Sequence, residues 1–189
     1  MDESNSEKIV SHLKKTYGRL TNTVRYSTAY KIVPENVATH SYFVVYITMI
    51  LCDYLKDLGI NIERALRMAL IHDVEESLTG DIIYSIKHHN PDFSGAVDRL
   101  NREIINEIYS GNEPYLDLWR EYKRGDTIES KIVEISDRVS GVLYILGEME
   151  MGNRTLMPIC KKYLDLIFET NIPGLQDFVF RLALEIDRV

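Results

Sequence analysis

The sequence is short of cysteine: it has two, Cys52 and Cys160, far apart and in no CxxC pair. A disulfide framework is therefore excluded, and the two read as free packing thiols of a reducing compartment. Positive charge is also lacking. With 29 acidic against 22 basic residues the formal net charge is −7, which argues against the sequence-independent affinity for nucleic-acid polymers that a basic surface provides. The longest apolar run, Phe43 to Cys52, is too short to span a bilayer. The first residues, MDESNSEK, have neither the basic start nor the apolar core of a secretion signal. Together these absences predict a cytoplasmic protein with no membrane partner. Low-complexity segments, internal repeats and long Gly/Ser/Pro linkers are missing too.

What is present suits one globular domain over residues 1–189, with 45% hydrophobic and 27% charged residues. Apolar residues recur at helical spacing almost throughout. Ile9, Val10, Leu13 and Tyr17 predict a helix over about 6–17. A second, beginning at Pro34 and Glu35 and stopping near Gly59, carries Phe43, Ile47, Ile50, Leu51 and Tyr54 inward. A third spans Ile62 to Leu78, closed by Gly80, and a fourth runs from about Phe93 towards Gly111. A shorter segment holds Leu116, Leu118 and Trp119. A long helix starts at Ile128 and stops before Gly152, and two more follow with Pro158 and Pro173 near their starts. No stretch alternates with β-branched enrichment. The class is all-α.

Four residues on three of these helices carry metal-ligand chemistry: His40 in the second, adjacent His72 and Asp73 late in the third, and Asp137 in the long helix. Neighbours on a helix point about 100° apart, so His72 and Asp73 reach one ion only from a shared edge. His40 and Asp137 then approach from neighbouring helices, as in other bundle metal sites. Two imidazoles and two carboxylates suit one divalent ion, with Mn, Co, Fe or Ni favoured and Zn or Mg also compatible. Four protein ligands leave octahedral positions for water and a substrate oxygen, as metal-assisted hydrolysis requires. An HD dipeptide alone is common by chance; the set is what counts.

From Arg25 to Asp137 the chain resembles the HD-domain 5′-deoxynucleotidases and the wider HD phosphohydrolases. The matching stretches are VRYS at 24–27, PENVATHSY at 34–42, ALIHDVEESLTGDI at 69–82, Ile86-Lys87, and EISDRVSG at 134–141. The resemblance implies a single-domain HD-type helical bundle, with a motif core over about 24–141 and C-terminal helices over about 154–189. It implies that His40, His72, Asp73 and Asp137 are the metal ligands. Glu76, one turn beyond His72 on the same face, becomes the group that takes a proton from water or returns it to the leaving oxygen. Glu75 is read as solvated. Arg25 orients the phosphate as a planar bidentate donor, Asp81 positions substrate between sugar and phosphate, and Lys87 adds a point charge. Tyr26 stands where the family usually has tryptophan against the sugar, Ser27 where proline is common, and Thr39 where glutamate is usual.

The activity so implied is release of phosphate from a deoxynucleoside 5′-monophosphate, a small-molecule substrate. An alternative on the same residues is a dNTP triphosphohydrolase releasing triphosphate, whose extra cations would come from Lys87, His88, His89, Lys123 and Arg124. Cleavage of cyclic dinucleotides or alarmones ranks lower, because those sites lack the TGD continuation. A non-enzymatic sensor is disfavoured, since neither a ligand nor Glu76 is missing. The resemblance also implies a homodimer, for which Tyr144, Met149, Met151 and Met157 offer apolar surface.

Overall fold

The structure is a computed structural model that describes residues 5–82 and 90–188. Lys87, His88 and His89 lie outside the described residues. The described residues form helices and turns, with one isolated antiparallel bridge between Val24 and Asn36. The helices are α1 (Asn5–Leu20), α2 (Val37–Tyr54), α3 (Ile62–Ile71), α4 (Glu76–Thr79), α5 (Pro91–Ile108), α6 (Glu113–Arg124), α7 (Ile128–Glu150), α8 (Met157–Glu169) and α9 (Gln176–Asp187).

The bundle is organised around α2 and α7, which pack along each other, with α3 against both and α6 and α8 closing on α7. Val44, Leu51, Ala65, Met68, Ile132, Ile135, Val142 and Ile145 are essentially inaccessible at their centre. The boundaries follow local chemistry. Asn36, Asn61, Asn90 and Thr127 cap α2, α3, α5 and α7 by accepting an N–H three residues on. Gly125 ends α6 in a left-handed conformation, at φ 66°.

Three features differ from the expectation. The second helix starts at Val37, capped by Asn36, rather than at Pro34, and it buries Val44, Thr48 and Cys52, leaving Phe43, Ile50 and Tyr54 about half exposed. This helix is apolar nearly all round, so its pattern could not choose a face. By length and composition Val37–Tyr54 could even cross a membrane. Here it carries buried His40 and packs on α3 and α7 as a core helix. On α1 the helical period holds, yet Ile9, Val10, Leu13 and Tyr17 are exposed. Finally, the third helix breaks after Ile71. Bonds from Val74 N–H to Ile71 O, Glu76 N–H to Asp73 O and Ser77 N–H to Val74 O form tight i→i−3 turns before α4. That break re-aims His72, Asp73 and Glu75.

Candidate metal centre and active site

The four expected donors converge. His40 comes from the first turn of α2, His72 and Asp73 from the turn after α3, and Asp137 from the middle of α7. One ligand atom from each lies within 4.8 Å of all the others. His72 Nε2 is 3.0 Å from Asp73 Oδ2, and His40 Nε2 is 3.0 Å from Asp137 Oδ1 and 3.7 Å from Asp73 Oδ2. Donors about 2.1 Å from a common ion and at right angles lie about 3 Å apart, so the spacing fits an ion at their centre. The buried nitrogens say the same. Both imidazoles are fully buried, and among the described residues each Nε2 lies close to a carboxylate oxygen without a well-aligned hydrogen bond to it, as ligands gathered around one ion would.

The outer contacts bear on the tautomers. His72 Nδ1 is 2.7 Å from Ala69 O, so Nδ1 carries the proton and the Nε2 lone pair faces the cluster. His40 Nδ1 has two neighbours, Ser140 Oγ at 3.1 Å and Arg25 Nη1 at 2.8 Å. Arginine only donates, so as placed Arg25 gives an N–H to Nδ1; ligation through His40 Nε2 moves the proton to Nδ1, which then donates to Ser140 while the Arg25 contact to Nδ1 is given up. Arg25 then keeps its bond to Glu35 Oε2, 2.7 Å away. Burial and the Arg25 charge lower the His40 pKa. Burial would lower that of His72 as well, but Asp73 outweighs it and raises it. Burial disfavours the ionised Asp73 and Asp137, yet the imidazoles hold both below the usual carboxylate range.

Glu76 opens α4 beside this cluster. Burial, Asp73 and Asp81 push its carboxyl well above its ordinary value, against the pull of Arg25, and its Oε2 is buried without a partner. A carboxyl with its pKa raised beside a cluster of ligand atoms is a candidate for proton transfer. Asp81 follows Gly80, whose φ of 70° and ψ of 172° only glycine adopts easily. Burial lifts the Asp81 carboxyl, and its Oδ2 accepts the Tyr26 backbone N–H at 2.6 Å. That bond holds Tyr26 in a left-handed conformation, φ 52°. Arg25 is buried, with Nη2 3.9 Å from Asp137 Oδ1 and its guanidinium over the Tyr26 ring. The Tyr26 ring is only 6% exposed, stacked on Tyr144 and with its hydroxyl 3.4 Å from that of Tyr163.

Sequence reasoning missed several contributors. Glu75 is not solvated: it is 2% exposed, with Oε1 2.7 Å from Lys123 Nζ and Oε2 accepting Trp119 Nε1–H at 3.0 Å. The pair fastens the ligand-bearing turn to α6, and Lys123 also reaches His72 O at 3.5 Å. In the sequence Lys123 is one of five cations with no assigned partner, and nothing there ties it to a carboxylate 48 positions away. Tyr163 was not foreseen either. Its ring sits so close to Gly141 that a Cβ there would meet it at 2.5 Å.

A family model described as HD domain matches residues 17–159. A 5′-deoxynucleotidase of Xenopus laevis is 29% identical over 80% of this chain and 75% of its own length. One of Vibrio parahaemolyticus is 27% identical over 92% of this chain and 93% of its own length. The crystal structure of an HD-domain phosphohydrolase from Listeria innocua superposes with a TM-score of 0.76 at 23% identity, covering 95% of this chain and 98% of the other.

Proposed function

The chain belongs to the HD domain family, and we propose that it is a metal-dependent 5′-deoxynucleotidase, converting deoxynucleoside 5′-monophosphates to deoxynucleoside and phosphate. The observation that carries this reading is the convergence of two buried imidazole nitrogens and two carboxylates on one point, beside the buried Oε2 of Glu76. His40, His72, Asp73 and Asp137 hold the ion, for which Mn, Co, Fe or Ni suits the donor set and Zn or Mg is compatible. A divalent ion there supplies Lewis acidity, polarising a phosphoryl oxygen and acidifying water.

The protein's own groups do the rest. Arg25 keeps guanidinium N–H donors beyond the one given to Glu35, and its fork suits a phosphate dianion. Water oxygen bonds to phosphorus and the P–O5′ bond breaks. The proton passes from water to Glu76, and from Glu76 to the leaving 5′-oxygen. Asp81 fixes the Arg25–Tyr26 backbone, and the pair of Asp81 and Tyr26 forms the sugar end of the site.

We read the whole chain as one domain, working in the cytoplasm as a homodimer. Of the apolar residues that the sequence offers for a dimer surface, Met149 is 3% exposed and belongs to the core. Tyr144 instead borders a groove of about 520 Å³ between α2 and α7, lined also by Phe43, Tyr46, Ile50, Leu143 and Phe178, which supports the dimer. Phe43, Tyr46, Ile50 and Leu143 are each nearly half exposed there, a contiguous apolar patch of the kind that marks contact surfaces.

The test is to strip the protein with chelator, restore single metals and resolve the products from dAMP, AMP, dATP and ATP. Orthophosphate from dAMP is expected. Triphosphate leaving dATP, with weak action on dAMP, would move the chain to triphosphohydrolysis. Metal binding with no turnover of any of the four would sink the enzymatic reading.

A further inference from the structure

Asn101 interrupts the buried stripe of α5, sharing that face with Val97, Ile104 and Ile105. It is 6% exposed, and its Oδ1 has no hydrogen-bond partner among the described residues. An amide left so costs about 1–3 kcal/mol, so its place among aliphatic neighbours calls for a reason. The polar cavity beside it supplies one. A space of about 50 Å³ is lined by Asp73, Glu75, Glu76, Asn101 and Lys123. It therefore contains both Asn101 and Glu76, whose Oε2 is equally buried and unpartnered. The volume exceeds the roughly 10–15 Å³ that one water needs and is far too small for a nucleotide.

We propose that Asn101 is a positioning residue, holding Glu76 through a water shared between them in this cavity. Two carbonyl-type oxygens cannot bond each other, but one water donates a proton to each and accepts from the Lys123 ammonium, which completes its hydrogen bonding. The same water serves both states of Glu76. It donates to the carboxylate, and it accepts from the O–H once Glu76 holds a proton. Glu76 thus keeps one orientation through the reaction. Lys123 stays in place through its ion pair with Glu75. The inference rests on Glu76 being the proton-handling group.

The test is a double-mutant cycle in kcat and KM on the metal-loaded enzyme with dAMP. Asn101→Leu, close in size but apolar, should lower kcat about 30-fold, with KM within about twofold. Bound metal per chain, measured by elemental analysis, should not change. Asn101→Ser, which restores a polar atom beside room for water, should recover kcat to within about threefold of the parent. In a Glu76→Gln background, Asn101→Leu should change the residual rate by less than about twofold, because residues acting as a unit are not additive. Full multiplication of the two losses, or a rise in KM at unchanged kcat, overturns the role of Asn101. If Asn101→Leu does not fold, the cycle is run with the smaller apolar Asn101→Val, whose own kcat loss must vanish in the Glu76→Gln background. Glu76→Gln retaining the parent kcat would overturn the reading of Glu76 itself, a failure separable from an additive cycle.

Discussion

Lys123→Met and Glu75→Gln should have unequal costs, although they break the same ion pair. Glu75 is 2% exposed and its carboxylate has two partners, Lys123 Nζ at 2.7 Å and Trp119 Nε1 at 3.0 Å. Removing the lysine leaves a buried charge with one neutral donor. Breaking a buried pair from one side costs about 3–5 kcal/mol. The Lys123 side chain is 31% exposed, so water partly replaces it, and about 2–3 kcal/mol is expected. Glu75→Gln removes the charge, keeps an acceptor for Trp119 and frees the ammonium towards solvent and the Trp119 and Tyr122 faces. That should cost about 1 kcal/mol. The double variant should cost less than the sum of the two, because no charge is left unpaired. Urea unfolding of the metal-free protein measures all three, free of the stabilisation that bound metal adds. Equal single costs, or strict additivity, would refute the placement of Glu75 as a buried anchor of the ligand-bearing turn.

Glu76→Gln should lose about 10²–10⁴ in kcat, yet metal-free protein at pH 8 should unfold at the same or higher urea, because a partly buried carboxyl crowded by Asp73 and Asp81 is removed. Gly141→Ala should destabilise by about 1–3 kcal/mol through its clash with the Tyr163 ring, and Tyr163→Ala in the same chain should relieve most of that added cost. Glu148 gives a pH dependence. Burial alone would raise its carboxyl, but the N–H groups of Ile32 and Val33 and the Asn153 amide hold it below its ordinary value. A depressed folded pKa stabilises above the unfolded value of about 4.3 and is lost as pH falls through the lower folded one. Stability of Glu148→Gln, followed by urea midpoints below about pH 4.5, should therefore fall less steeply than that of the parent, by up to one bound proton.

The helical class was legible because the 3.6-residue period survives in almost every segment, and the caps at Asn61, Asn90 and Thr127 agree with the expected starts. His40, His72, Asp73 and Asp137 were legible as a set because each sits in a distinctive local string, and the fold brings their donor atoms together. Other features are tertiary. Glu75 looked like a solvated helix carboxylate because a continuous helix would turn it outward, and only the break at Ile71 turns it towards α6. The exposed face of α2 was hidden by a helix apolar on every side. Asn101 gave no signal at all, since one polar residue in an apolar stripe is ordinary until its orphaned oxygen is seen beside that of Glu76.

The central claim is that these four donors hold an ion required for phosphomonoester hydrolysis. Metal stoichiometry and orthophosphate release from dAMP, measured on the same samples of parent, His40→Ala and Asp73→Asn, test it most directly. The parent should bind one divalent ion per chain and release orthophosphate, and both variants should lose ion and turnover together while remaining folded. A variant that loses the ion but keeps hydrolysing dAMP, or a parent that binds it and hydrolyses no nucleotide, would contradict the assignment.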